Sequence, residues 1–82
     1  MSHTPHELAD EFPEFLLEMT QLRQTDLHFA KITDDYHAVN RAIHRAETNI
    51  EPASDMHIID LRKQRMRLKD EIYGYLARDL TI

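Results

Sequence analysis

The chain has 82 residues, with one Gly, three Pro, no Cys and no Trp, and 30% of its residues are charged. Without cysteine there are no disulfides or thiolate sites, and a single glycine cannot supply the tight turns of an all-β fold. The formal charge of −5 is uneven: residues 1–35 carry eight acids and two bases, residues 36–82 seven acids and eight bases, and halves of such different balance can attract one another within or between chains.

One core of this size is marginal, and a small scaffold with neither disulfide nor metal usually relies on oligomerisation. Association is therefore expected, with a homodimer favoured. The N-terminus lacks the basic start and apolar run of a signal peptide. Its longest apolar stretch, Phe15-Leu16-Leu17, is far short of the roughly 20 residues of a membrane span. A soluble, cytoplasmic protein is expected.

Residues 1–12 are polar and acidic and read as a flexible lead-in to a single helical domain over 13–82. Pro13 suits a first helical turn, where its missing N–H costs nothing. A short helix follows over 13–24, with Phe15, Leu16, Met19 and Leu22 on one side. Thr25-Asp26 marks a break and an N-cap.

The strongest pattern comes next. Phe29, Ile32, Tyr36, Val39, Ile43, Ala46 and Ile50 alternate spacings of three and four, an unbroken heptad stripe. It predicts a helix over 26–49, about 36 Å long at 1.5 Å per residue. Pro52 interrupts it and pushes Glu51 away from helical geometry. Ser54 or Asp55 then caps a second long helix over 55–78, whose seam is Ile58, Leu61, Arg65, Leu68, Ile72 and Tyr75. A short turn at Pro52 folds the two helices antiparallel, facing residues having numbers that sum to about 105. That places Phe29 near Leu76, Val39 near Arg65, and Asp35 opposite Lys69 or Asp70.

Ile59, Met66, Tyr73, Leu76 and Leu80 lie beside the second seam. Together they make its apolar face wider than two helices need. The surplus calls for cover from the 13–23 helix, a second subunit or another protein. The fold class is thus all-α, an antiparallel helical hairpin preceded by a short helix and dimerised into a bundle.

One group of residues also carries a family likeness. His28-Phe29-Ala30, Tyr36, Asn40, Ile43, Leu61-Arg62-Lys63 and above all Leu68-Lys69-Asp70-Glu71-Ile72 resemble the YdcH-like small bacterial proteins over about residues 26–77. The resemblance implies a short coiled-coil-like helical pair and no activity, and it brings no catalytic residues with it.

The run 62–69 contains Arg62, Lys63, Arg65, Arg67 and Lys69 and no acid. As a site, Arg62, Lys63, Arg67 and Lys69 would contact phosphates of nucleic acid or anionic lipid. The plainer reading is a solvated face paired with Asp34, Asp35, Asp70 or Glu71, which the overall acidity favours. Arg65, at a seam position, either fixes register or extends to the edge with its stem packed.

Protonation of all six histidines would move the formal charge from −5 to +1, so association is expected to respond to mild acid. His37 and His44 are too far apart on one helix to chelate a metal ion. Ser54, Asp55 and His57 resemble a triad in composition, but consecutive residues at a helix start suit capping. No catalytic, metal or cofactor site is expected, and the aromatic residues read as core. Gly74 costs its helix roughly 1 kcal/mol relative to alanine, so either the helix frays there or another backbone comes close. The function expected is a non-enzymatic interaction or regulatory module that binds another protein through its apolar helix face. The alternative is a nucleic-acid-associated protein using residues 62–69.

Overall fold

A computed structural model describes residues 5–48 and 54–80, apart from the side chains of 79 and 80. The turn expected at Pro52, the seam position Ile50 and the side chain of Leu80 lie outside the described residues. In chain order the elements are α1 (Leu8–Glu11), a 3-10 turn (Pro13–Phe15), α2 (Leu16–Thr25), α3 (Leu27–Glu47) and α4 (Asp55–Leu80), and no strand occurs among the described residues.

The long helices start where capping chemistry places them. Asp26 is extended (φ −130°, ψ 108°) and its carboxylate accepts the Phe29 N–H at 3.0 Å. Ser54 Oγ accepts the His57 N–H at 3.2 Å. Each side chain satisfies one of the backbone donors that a helix start leaves unpaired. Pro13 opens the 3-10 turn before α2, as its fixed φ and missing donor favour.

Helices α3 and α4 pack antiparallel along one seam, in the expected register. Arg65 Nη1 donates to Asn40 Oδ1 at 3.0 Å. The Phe29 and Tyr75 rings meet edge-on at 5.3 Å. Phe29, Tyr36, Ile43, Ile72 and Leu76 are fully buried.

The lead-in is a packed layer where a flexible segment was expected. Leu8, Phe12, Phe15 and Met19 are buried in one cluster with Phe29, Ile32, Tyr36, Ile72 and Leu76, each contributing about 1.5–3 kcal/mol of transfer free energy. Polar tethers fix the segment as well. The Tyr36 hydroxyl donates to the His6 carbonyl at 2.6 Å, Asn40 Nδ2 donates to the Pro5 carbonyl at 2.9 Å, and His37 meets Glu7 at 3.1 Å. His6 is held at φ 63°, a left-handed conformation that costs a non-glycine residue roughly 1–2 kcal/mol. At the far end of this layer Arg23 bonds Thr33 and Asp34.

This layer changes which residues are covered. Leu76, expected on the exposed face, is buried because the cluster of Phe12, Phe15 and Met19 closes over that end of the seam. Leu16, expected on the inner side of α2, is exposed, because the buried Phe15 and Met19 are one helical turn apart and Leu16 lies about 100° around the helix from Phe15. Asp35 pairs with Lys31 one helical turn away at 2.7 Å, not with Lys69 across the seam. Gly74 stands inside an unfrayed helix, and a Cβ added there would meet nothing within 4 Å. Neither fraying nor a close backbone accounts for it.

Candidate interaction surface

Helix geometry disperses the basic run. Residues 62, 65 and 69 fall on the side of α4 that faces α3 and the N-terminal layer, while 63 and 67 fall on the far side. Arg62 reaches Glu47 at 3.2 Å, and Arg65 holds Asn40. Lys69 pairs with Glu11 at 3.2 Å and lies 5.9 Å from the centre of the Phe12 ring. Three of the five cations therefore already have oxygen partners within the fold. Lys63 and Arg67 are exposed and show no ion pair among the described residues.

Arg62, Arg65 and Lys69 line an open hollow of about 310 Å³, closed on its other side by His6, Glu11 and Tyr36. The hydrogen bond from His6, at 2.6 Å, holds the Glu11 carboxyl below its ordinary pKa; burial opposes this and Lys69 reinforces it. Burial pushes the Tyr36 phenol up to about 12, with the negative charge of Glu11 adding to the shift. Tyr36 thus stays a neutral donor to the His6 carbonyl throughout the physiological range. The hollow is a junction of satisfied groups that locks the N-terminal layer to the hairpin.

On the opposite side of the hairpin, a shallow groove of about 430 Å³ runs between α3 and α4. Val39 and Leu68 are half-buried within it, and Asp35, Arg67 and Glu71 are among the charged residues lining it. Ser54, Asp55 and His57 form the start of α4, where Ser54 serves as a cap. Among the described residues no three His, Asp or Glu side chains converge to hold a metal ion.

The outer face of α4 is different. Ile59, Met66 and Tyr73 are 42%, 58% and 52% exposed, as their positions beside the seam suggested, and Met56 joins them at 70%. The Tyr73 ring stacks on Phe12 at 6.0 Å and exposes its other side. Four large apolar side chains thus line one side of one helix.

Sequence reasoning missed Asn40, Tyr36 and Glu11 as a linking group. One signal was available. Phe29, Thr33, Tyr36, Asn40 and Ile43 also alternate spacings of four and three. Polar residues interleaved in such a stripe mark a face that is buried and hydrogen-bonded at once.

Comparison with family models gives a match to the family described as "Protein of unknown function (DUF465)" over residues 29–76. The chain belongs to this family. YdcH-like proteins are DUF465 members, so the resemblance carried by His28-Phe29-Ala30 and Leu68-Lys69-Asp70-Glu71-Ile72 holds. No match was found among curated proteins or among solved structures. The DUF465 segment covers the α3–α4 hairpin from Phe29 to Leu76, and the N-terminal layer lies outside it. Asn40 and Arg65 are within the segment, and the backbone that Asn40 holds at Pro5 is not. No helix among the described residues is long and apolar enough to cross a membrane.

Proposed function

We propose that this DUF465 member is a non-enzymatic cytoplasmic binding module. The hairpin is a rigid scaffold and the outer face of α4 is the surface that docks onto protein. The observation carrying this reading is the exposure of Met56, Ile59, Met66 and Tyr73 on one side of a helix whose other side packs on α3 and buries Leu61, Ile72 and Leu76. Water-exposed apolar side chains grouped in this way gain from being covered. The absence of cysteine suits a reducing compartment. The nucleic-acid alternative is weakened because Arg62, Arg65 and Lys69 are committed to Glu47, Asn40 and Glu11, which leaves Lys63 and Arg67 as the cations of the run 62–69 without such a partner among the described residues.

The methionines provide the test. Met56 and Met66 are on the outer face and Met19 is buried. With methyl-labelled methionine, adding the full chain to cell extract should broaden the Met56 and Met66 methyl signals far more than that of Met19. Signals of Met56 and Met66 as sharp in extract as in dilute buffer would overturn the reading.

A further inference from the structure

The outer face of α4 has a second heptad of its own. Met56, Ile59, Lys63, Met66, Asp70 and Tyr73 follow spacings of three, four, three, four and three. At 100° per residue they form one stripe along the helix, roughly opposite the seam that packs on α3. Six residues at heptad spacing, on a face that the N-terminal layer touches at Tyr73 through Phe12 and that leaves Met56, Ile59, Met66 and one side of Tyr73 exposed, make half of a helix pair.

The two charged members identify the other half. Lys63 and Asp70 lie three residues before and four after Met66, and neither shows an ion pair among the described residues. If a second copy of α4 lies antiparallel with Met66 against Met66, facing residues have numbers summing to 132 or 133. Ile59 then faces the partner's Tyr73, and Lys63 faces the partner's Asp70. Two-fold symmetry repeats both contacts, as an isologous interface requires. In a parallel pair Lys63 would face Lys63 and Asp70 would face Asp70, two like-charge contacts in place of two opposite ones.

We infer that the outer stripe of α4 is a self-recognition surface, pairing two copies of this chain antiparallel about Met66 with reciprocal Lys63–Asp70 contacts. The stripe from Met56 to Tyr73 is about 26 Å long at 1.5 Å per residue. A contact of one helix with one helix over that length falls at the small end of specific interfaces, so the dimer is reversible. This inference rests on reading the α4 outer face as a docking surface and names its occupant.

Sedimentation of the full chain from about 1 to about 200 µM, the range over which small interfaces exchange, is the test. The wild type should pass from monomer to dimer. Lys63→Glu and Asp70→Lys should each weaken dimerisation about tenfold, since each sets two like-charge contacts in place of opposite ones. An equimolar mixture of the two variants should recover wild-type affinity as a heterodimer, and the double swap should recover it as a homodimer. Because the native chain has no cysteine, Ile59→Cys mixed with Tyr73→Cys should form a mixed disulfide faster than either variant alone forms its own. A wild type that stays monomeric over the whole range, or single variants that the mixture fails to rescue, would overturn the inference. If Met56 and Met66 still broaden in extract while the pure chain stays monomeric, only the choice of partner falls. Sharp signals together with a monomer remove the docking reading too.

Discussion

Replacing Asn40 with leucine keeps the same branched side-chain skeleton in the seam but removes a bridge between three segments. Asn40 donates to the Pro5 carbonyl at 2.9 Å and accepts from Arg65 at 3.0 Å, and it is 1% exposed. Loss of the neutral bond costs about 1 kcal/mol and loss of the charged one about 1.5–3 kcal/mol. The lower end applies to Arg65, which borders the open hollow and can recruit water. The greater apolarity of leucine returns about 1 kcal/mol. The net loss is about 1.5 kcal/mol, out of a stability on the order of 4–12 kcal/mol for a chain of this length. Urea titration followed by circular dichroism, at one fixed protein concentration, measures it, and the midpoint of thermal unfolding should fall by roughly 6–12 °C. The companion variant Asn40→Leu/Arg65→Met replaces both partners with apolar groups. It should be about 1 kcal/mol more stable than the sum of the two single losses implies, because no charge is left unpartnered. An Asn40→Leu protein within about 0.5 kcal/mol of wild type, or strictly additive single losses, would show that the bridge does not hold the segments together.

Gly74→Ala should raise stability by about 1 kcal/mol, since the new methyl meets nothing and the helix gains propensity; a lower thermal midpoint would mean that something does occupy that space. Asp26→Ala should cost about 1 kcal/mol and loosen the first turn of α3, visible as faster amide exchange at Phe29. Acid should release the N-terminal layer first. The folded pKa of Glu11 lies below its ordinary 4.5, so its contribution is present above that value and is lost as pH falls through the lower, folded one. Glu11→Gln should flatten the pH dependence of stability as pH falls below the ordinary 4.5, and an unchanged slope would remove Glu11 from the account.

The two long helices were legible because their stripes are local and periodic. Phe29 through Ala46 needs only spacing to be read, and counting outward from Pro52 placed Phe29 near Leu76 and Val39 near Arg65, one residue away from the observed contacts of Phe29 with Tyr75 and of Asn40 with Arg65. The N-terminal layer was not legible, because what orders it is non-local: a phenol at 36 and an amide at 40 reaching carbonyls at 6 and 5. No window of polar residues at 1–12 contains that information. The same layer explains the misplacement of Leu76, since a heptad describes a face and cannot say which neighbour will cover its edge. Arg65 stood out as a charge in an apolar seam, but its partner Asn40 did not. On the outer face, Ile59, Met66 and Tyr73 were legible as surplus apolar positions. The role of Lys63 emerged only when the helix surface showed it and Asp70 lying in the same stripe.

The family boundary and the folding boundary do not coincide. The matched segment starts at Phe29, yet Phe29, Ile32, Ile72 and Leu76 are sealed by Leu8, Phe12, Phe15 and Met19 from outside it. A fragment trimmed to residues 29–76 would have an oily flank that the intact chain never displays. It would clump through that flank, and any binding measured with it would report the cut rather than the protein.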